Sequence, residues 1–424
     1  MNKRRVMILT CCTGVVAAVG AIAGPSSSAT TCGWVVVPSA DAGPVSELTA
    51  VYSSSATGAW AAGTTSSGDE FARAQPLIEH YDGTSWSIVS SPTKGSRYLA
   101  DISFGAPNDG WVVGERPASV GSNQPDRTLA EHYDGSTWKT VPTPNVGDHG
   151  SILTSVWVRA SNDVWAVGSS YKSATVTKAL ILHFDGSTWQ VVPSPHSKKF
   201  SRALTTVNAR TTVQGPEAWA GGFERKRKDP TATDKPLALQ WDGTAWHKVH
   251  ISVPEPNARL SGIFQLADND VVAVGNRVVG TGSQAFNVNY NHSAIWSAPE
   301  PVHLGVYDRF ASVYYGMAAG SYSDTDGRLH PLIESQSPFA GWGSNHWVVN
   351  DISGAPFDSW LNDIYGLGSA AWAVGAQAVP DRTTFVPGRK TLTVHNDCNQ
   401  QPSPTTSPSP SSSASPTSSP SATP

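Results

Sequence analysis

The chain has 424 residues, 39% of them hydrophobic and 15% charged, with 16 Trp against 3 Met and a formal net charge of -4. It is too apolar and aromatic for a disordered protein, too sparsely charged for a coiled coil and too poor in Lys and Arg for a general nucleic-acid binder. The aromatic skew points to repeated β-structure.

The N-terminus reads Met1-Asn2-Lys3-Arg4-Arg5, an apolar run from Val6 to Ala23, then Gly24-Pro25 and serines. A basic start, an apolar centre and small residues for cleavage make residues 1–29 a secretory signal peptide, with export expected. Cys11 and Cys12 leave with it. Cys32 and Cys398 then stand at the two ends of residues 30–400, in an oxidising compartment, and are expected to form a disulfide; two free thiols are the alternative.

Between the cysteines one pattern recurs. A Leu or Phe precedes Val or Ile by three residues at Leu48/Val51, Leu99/Ile102, Leu153/Val156, Leu204/Val207, Leu260/Ile263, Phe310/Val313 and Leu361/Ile364. Each is followed by a run ending in glycine, such as Trp60-Ala61-Ala62-Gly63 or Trp165-Ala166-Val167-Gly168. A third run carries an Asp-Gly turn and a Trp, as in His80-Tyr81-Asp82-Gly83-Thr84-Ser85-Trp86, with copies ending at Trp138, Trp189 and Trp246 and degenerate ones at Trp296 and Trp347. Each repeat reads as four short strands, a to d, with a tight c–d hairpin that needs positive φ. Repeats of about 50 residues with four strands predict an all-β, seven-bladed β-propeller.

The last repeat stops after its third strand, Thr391 to Cys398, while Cys32-Gly33-Trp34-Val35-Val36-Val37-Pro38-Ser39 parallels Trp189-Gln190-Val191-Val192-Pro193-Ser194. The N-terminal strand is therefore expected to complete the last blade, with the disulfide locking the seam. Residues 401–424 contain almost only Pro, Ser, Thr and Ala and cannot bury a core, so a disordered tail is expected there.

The glycine-ended strand b, the aromatic-Asp turn after strand c and the Trp opening strand d resemble kelch repeats, as in the central domain of galactose-oxidase-like proteins and related secreted bacterial propellers. The resemblance covers nearly all of residues 32–398 and implies a propeller. It implies no activity, because propellers host lectins, interaction platforms and enzymes alike.

Residue types that recur in every repeat are expected to serve the scaffold. The strand d tryptophans should fill the space between blades. His80, His132, His183 and His395 share one position on strand c, spread around a ring, and should be hydrogen-bond partners within a blade rather than metal ligands. Asp82, Asp134, Asp185 and Asp242 should close the c–d turns. No cofactor, metal or catalytic residue is expected.

Function should sit in what does not repeat. The b–c connections differ between repeats and read as long loops (64–75, 115–128, 169–178, 223–236, 276–285, 321–329 and 376–390) on the face that also receives the d–a connections. Just before strand a on that face come Arg97, Tyr98, Arg202, Arg259, Arg309 and Trp360, the candidate ligand-binding residues. Converging at the channel mouth, they would hold an acidic ligand or carbohydrate by arginine forks and stacking; a polar rim with Arg309 paired to Asp308 or Glu47 is the alternative. The run Arg225-Lys226-Arg227-Lys228 reads as a mobile, solvated loop.

Both mature cysteines lie at the seam, which leaves none for a copper-radical site, and no local hydrolase, zinc or phosphate motif is present. The expected function is a secreted, monomeric propeller that binds an extracellular glycan or protein ligand, with no nucleic-acid partner and no membrane span after signal removal. A polysaccharide hydrolase or lyase on the same scaffold is the alternative.

Overall fold

In a computed structural model the described residues are 33–397, apart from 41, 56, 68–73, 94, 96, 119–124, 230, 252–256, 269, 291–295, 298–300, 337–346, 367–369 and 380–387. The expected signal peptide, Cys32, Cys398 and the 401–424 tail lie outside them. Apolar residues alternate along each short run, so the runs pair as strands with both faces covered. Strand β1 (Gly33–Val37) is followed by β2 (Val45–Ser55), β3 (Gly58–Ser66), β4 (Gln75–Tyr81) and β5 (Trp86–Val89), an antiparallel meander of four.

The meander recurs as β6 (Tyr98–Ala106), β7 (Asp109–Arg116), β8 (Arg127–Tyr133) and β9 (Trp138–Thr140). Next come β10 (Ser151–Ala160), β11 (Asp163–Ser173), β12 (Val176–Phe184) and β13 (Trp189–Val191), and then β14 (Phe200–Thr212), β15 (Gly215–Lys226), β16 (Asp234–Trp241) and β17 (Trp246–Val249). They are followed by β18 (Ala258–Ala267), β19 (Asp270–Val279), β20 (Gly282–Tyr290) and β21 (Trp296–Ser297), then β22 (Tyr307–Tyr314), β23 (Met317–Ser323), β24 (Leu329–Gln336) and β25 (Trp347–Asn350). After the short β26 (Ile352–Ser353) come β27 (Ser359–Tyr365), β28 (Trp372–Val379) and β29 (Gly388–Asp397). β1 pairs antiparallel with β29, Gly33 opposite Asp397 and Val37 opposite Thr393, so the chain's first strand is the outer strand of its last unit.

The first strand of each unit touches the first strand of the next, and β27 touches β2. A hydroxyl or amide inside the Leu-x-x-Val motif bonds these neighbours: Thr49 Oγ1 donates to Leu99 O, Thr154 Oγ1 to Leu204 O and Thr205 Oγ1 to Leu260 O, each at 2.8 Å. Ser261 donates to Phe310 O at 2.6 Å and Asn362 Nδ2 to Leu48 O at 2.9 Å. The last unit is thereby bonded to the first, where Trp372 and Val374 also pack on Leu48 and Val51.

The recurrent glycine lies inside strand b, which runs on past it, and has a steric cause. Strand a bulges within the motif, between Leu153 and Ser155 for example, and this presses a carbonyl onto strand b. A Cβ on Gly168 would lie 2.1 Å from Ile152 O, and Gly63, Gly320 and Gly375 meet Glu47, Arg309 and Trp360 carbonyls as closely. Between units, the strand d Trp of one packs edge-on against the strand b Trp of its predecessor: Trp189 on Trp111 (5.1 Å, 89°) and Trp246 on Trp165 (5.3 Å, 82°). Such contacts contribute about 0.5–1.5 kcal/mol each beyond area burial.

Two of the expected long loops are instead hairpins. β11 and β12 continue pairing to Ser173 and Val176, and β19 and β20 to Val279 and Gly282. Neither stretch contains a proline to interrupt the ladder, so pairing runs on beyond the apolar core. β15 likewise extends through Lys226, with Arg225 opposite Asp234, which corrects the reading of 225–228 as a wholly solvated loop.

Candidate functional site

The repeated polar residues serve the scaffold. Asp134 Oδ1 accepts from Ser136 N, Ser136 Oγ and Thr137 N at 2.7–3.0 Å, and Asp82, Asp185 and Asp242 make the same turn. Those bonds hold the Asp82 carboxyl down to about 2, its Thr84 hydroxyl bond foremost. The glycine that follows takes positive φ, 93° at Gly135. His132 bonds Asp109 at 2.8 Å and His183 bonds Asp163 at 3.1 Å, each imidazole lying against the strand b Trp of its own unit.

Two carboxylates sit near each other in the interior, Asp101 and Asp363. Burial raises both, and the charge of Asp363 raises Asp101 further. Asp101 Oδ2 accepts Val156 N at 2.8 Å and Ser155 Oγ at 2.7 Å; Asp363 Oδ2 accepts Val51 N at 2.8 Å. Each is thus committed to the next unit's strand rather than disposed as an acid–base pair. Among the described residues no cluster of three or more His, Cys, Asp or Glu could hold a metal.

The six sequence-selected residues fall in different places. Tyr98 opens β6 with Arg97 just ahead of it, while Arg202, Arg259, Arg309 and Trp360 lie within the first turns of pairing of β14, β18, β22 and β27 rather than before them. Arg202 and Arg259 line a cleft of about 450 Å³ together with Phe223, Arg225, Lys226, Arg227 and Lys228. Arg309 and Trp360 line a second, of about 600 Å³, with Glu47, Tyr307, Asp308, Asn362 and Arg389. Arg97 and Tyr98 line neither.

In the smaller cleft Asp234 is fully buried and bridges two arginines. Arg225 donates to its Oδ1 at 2.6 Å and to its Oδ2 at 3.0 Å, and Arg259 also binds Oδ2. Both arginine side chains stay half exposed, 50% and 52%, and the Arg259 guanidinium lies 4.3 Å above the Phe223 ring. Arg202 is more enclosed, its Nε 2.9 Å from Glu224 Oε2, and Lys248 reaches the other oxygen at 2.6 Å. Arg202 therefore braces the cleft wall. The basic run 225–228, set aside in the sequence as solvated loop, supplies most of the cleft's charge, because the β15 extension carries it beside Arg259.

No protein-family model and no curated protein matches the chain. Solved structures do. The polysaccharide lyase Uly1 superposes with a TM-score of 0.51 at 11% identity, over 82% of this chain and 89% of that one. YCF48 bound to a D1 peptide gives 0.49 at 14% identity, over 86% and 96%. The Aleuria aurantia lectin in complex with alpha-methyl-L-fucoside gives 0.43 at 13%, over 74% and 97%. The fold is a β-propeller. At these identities the likeness concerns the fold alone.

Proposed function

We propose that this chain is a secreted seven-bladed propeller, kelch-like in its repeats, that recognises an acidic extracellular polymer through the cleft around Arg225 and Arg259. The seven meanders, the Asn362 bond back to Leu48 and the pairing of β1 with β29 support a ring closed by the N-terminal strand. The last described pair of that ladder, Gly33 with Asp397, stands one residue from each cysteine, which supports the Cys32–Cys398 bridge. The basic signal-like N-terminus supports export.

The observation that carries the recognition reading is a charge imbalance. Arg225 and Arg259 share a single buried carboxylate, so their outward N–H groups keep capacity for a second anion beside Arg227 and Lys228, while Lys226 is paired with Asp229 at 3.2 Å. Binding is favoured over hydrolysis because among the described residues no acid lines the cleft, and Asp234 and Glu224 behind it are buried and held by cations. Neither Arg225 nor Arg259 is a clean probe, since removing either leaves the buried Asp234 partly uncompensated. The test is R227Q/K228A, at two lining cations that hold no buried carboxylate, on an immobilised heparin surface, where each lost charge-assisted contact is worth about 1.5–3 kcal/mol. Expected are at least tenfold weaker binding, a shallower salt dependence and an unchanged melting temperature; unaltered affinity refutes the site.

A further inference from the structure

The larger cleft differs in chemistry from the basic one. Glu47 is saturated there: Arg389 Nη1 lies 2.9 Å from its Oε2, while Asn362 Nδ2 and Trp360 Nε1 donate to its Oε1 at 2.8 and 3.1 Å. Asp308 is fully buried, raised chiefly by that burial, and accepts from Leu304 N at 3.2 Å with His303 at 3.4 Å. Neither acid pairs with Arg309. Among the described residues its guanidinium has one partner, the Ser321 hydroxyl, which takes the Nε proton at 3.0 Å.

Arg309 is exposed at the cleft; the protein around it lowers its pKa by desolvation, with the Glu47 charge offsetting part of the loss. An arginine whose Nε is fixed by a hydroxyl and whose terminal N–H pair is uncommitted is a forked donor set matched to one carboxylate. Around it lie a half-exposed phenol ring, Tyr307, a partly buried indole, Trp360, and the Asn362 and Ser283 side chains. A concave site of this volume with ring surfaces and a few polar groups suits a ligand of one or two rings. Arg389 pairs with Glu47 and Asp308 faces His303, so among the described residues Arg309 is the cleft cation with no acid within ion-pair distance.

We propose that this cleft is a sugar-acid site: a hexuronate carboxylate on the Arg309 fork, the pyranose face against Tyr307, and a ring hydroxyl donating to the Asn362 amide oxygen, its Nδ2 being committed to Glu47 and Leu48. The site is separate from the Arg225–Arg259 cleft and does not depend on it. It takes one carboxylated monosaccharide unit, where the basic cleft takes dense charge.

Titration calorimetry of the mature protein with D-glucuronate, D-glucose and acetate tests it. Glucuronate is expected to bind at least tenfold more tightly than either other probe, since only it offers both the carboxylate and the ring. R309M should lower glucuronate affinity at least tenfold, R309K should recover part of it by charge without the fork, and Y307A should weaken it several-fold. Heparin binding by R309M reports on the basic cleft and separates failure of the two readings, and its melting curve confirms the fold. Equal binding of glucuronate by R309M and the parent chain overturns the proposal, as does glucose or acetate binding as tightly as glucuronate.

Discussion

Glu79 gives the sharpest test of how burial acts on this scaffold. It lies on β4, is fully buried, and burial pushes its carboxyl up to about 7 from an ordinary 4.5. Below pH 4.5 the carboxyl is neutral in the folded and the unfolded chain and contributes nothing. Between 4.5 and 7 the unfolded chain ionises first, so stability falls by about 1.4 kcal/mol per pH unit. Above 7 the whole cost applies, about 3 kcal/mol. Glu79→Gln removes the charge at nearly constant volume, so the variant should match the parent at pH 4 and be more stable at pH 8. With an unfolding entropy of about 2.1 cal/mol/K per residue over roughly 365 residues, 3 kcal/mol corresponds to a rise of about 4 °C in melting temperature. Differential scanning calorimetry of both proteins at pH 4, 6 and 8 reads this directly. Glu131, at the equivalent position of β8, is the internal contrast: Ser91 and Thr93 hydroxyls donate to it at 2.9 and 2.6 Å, so its Gln variant gains less. An E79Q variant destabilised equally at pH 4 and pH 8 would refute the reasoning, because Glu79 would then be acting as a needed acceptor rather than a desolvated charge.

Two further outcomes follow from the junctions between strands. Gly168→Ala places a methyl 2.1 Å from Ile152 O, where only backbone can yield, so chemical denaturation should show a loss above about 3 kcal/mol or no folded protein. Thr154→Ala removes the donor to Leu204 O and should cost about 1–3 kcal/mol in the same assay without changing ligand affinity. The repeats already carry alanine at the equivalent positions Ala100 and Ala311, which sets a bound on that cost, and a loss far above this range would mean the bond does more than join neighbours.

Much of the scaffold is legible along the chain because it is built by short-range rules applied repeatedly. Asp134-Gly135-Ser136-Thr137-Trp138 carries its turn, its positive φ and its inter-unit aromatic within five residues, and each further copy repeats the inference. The glycine within strand b is equally local, marking the place where the bulged carbonyl of strand a leaves no room for a side chain. The clefts are not legible in this way. Arg225, Asp234 and Arg259 come from β15, β16 and the next unit's β18, and Glu47, Arg309 and Arg389 from three different units. Whether an arginine is committed to a neighbour, as Arg202 is to Glu224, or keeps its fork open, as Arg309 does, depends on which carboxylates the packing brings within about 3 Å. Charges that meet across separations from 9 to 342 positions leave no periodic trace, so sequence could nominate the arginines but only the tertiary structure could sort them into two clefts.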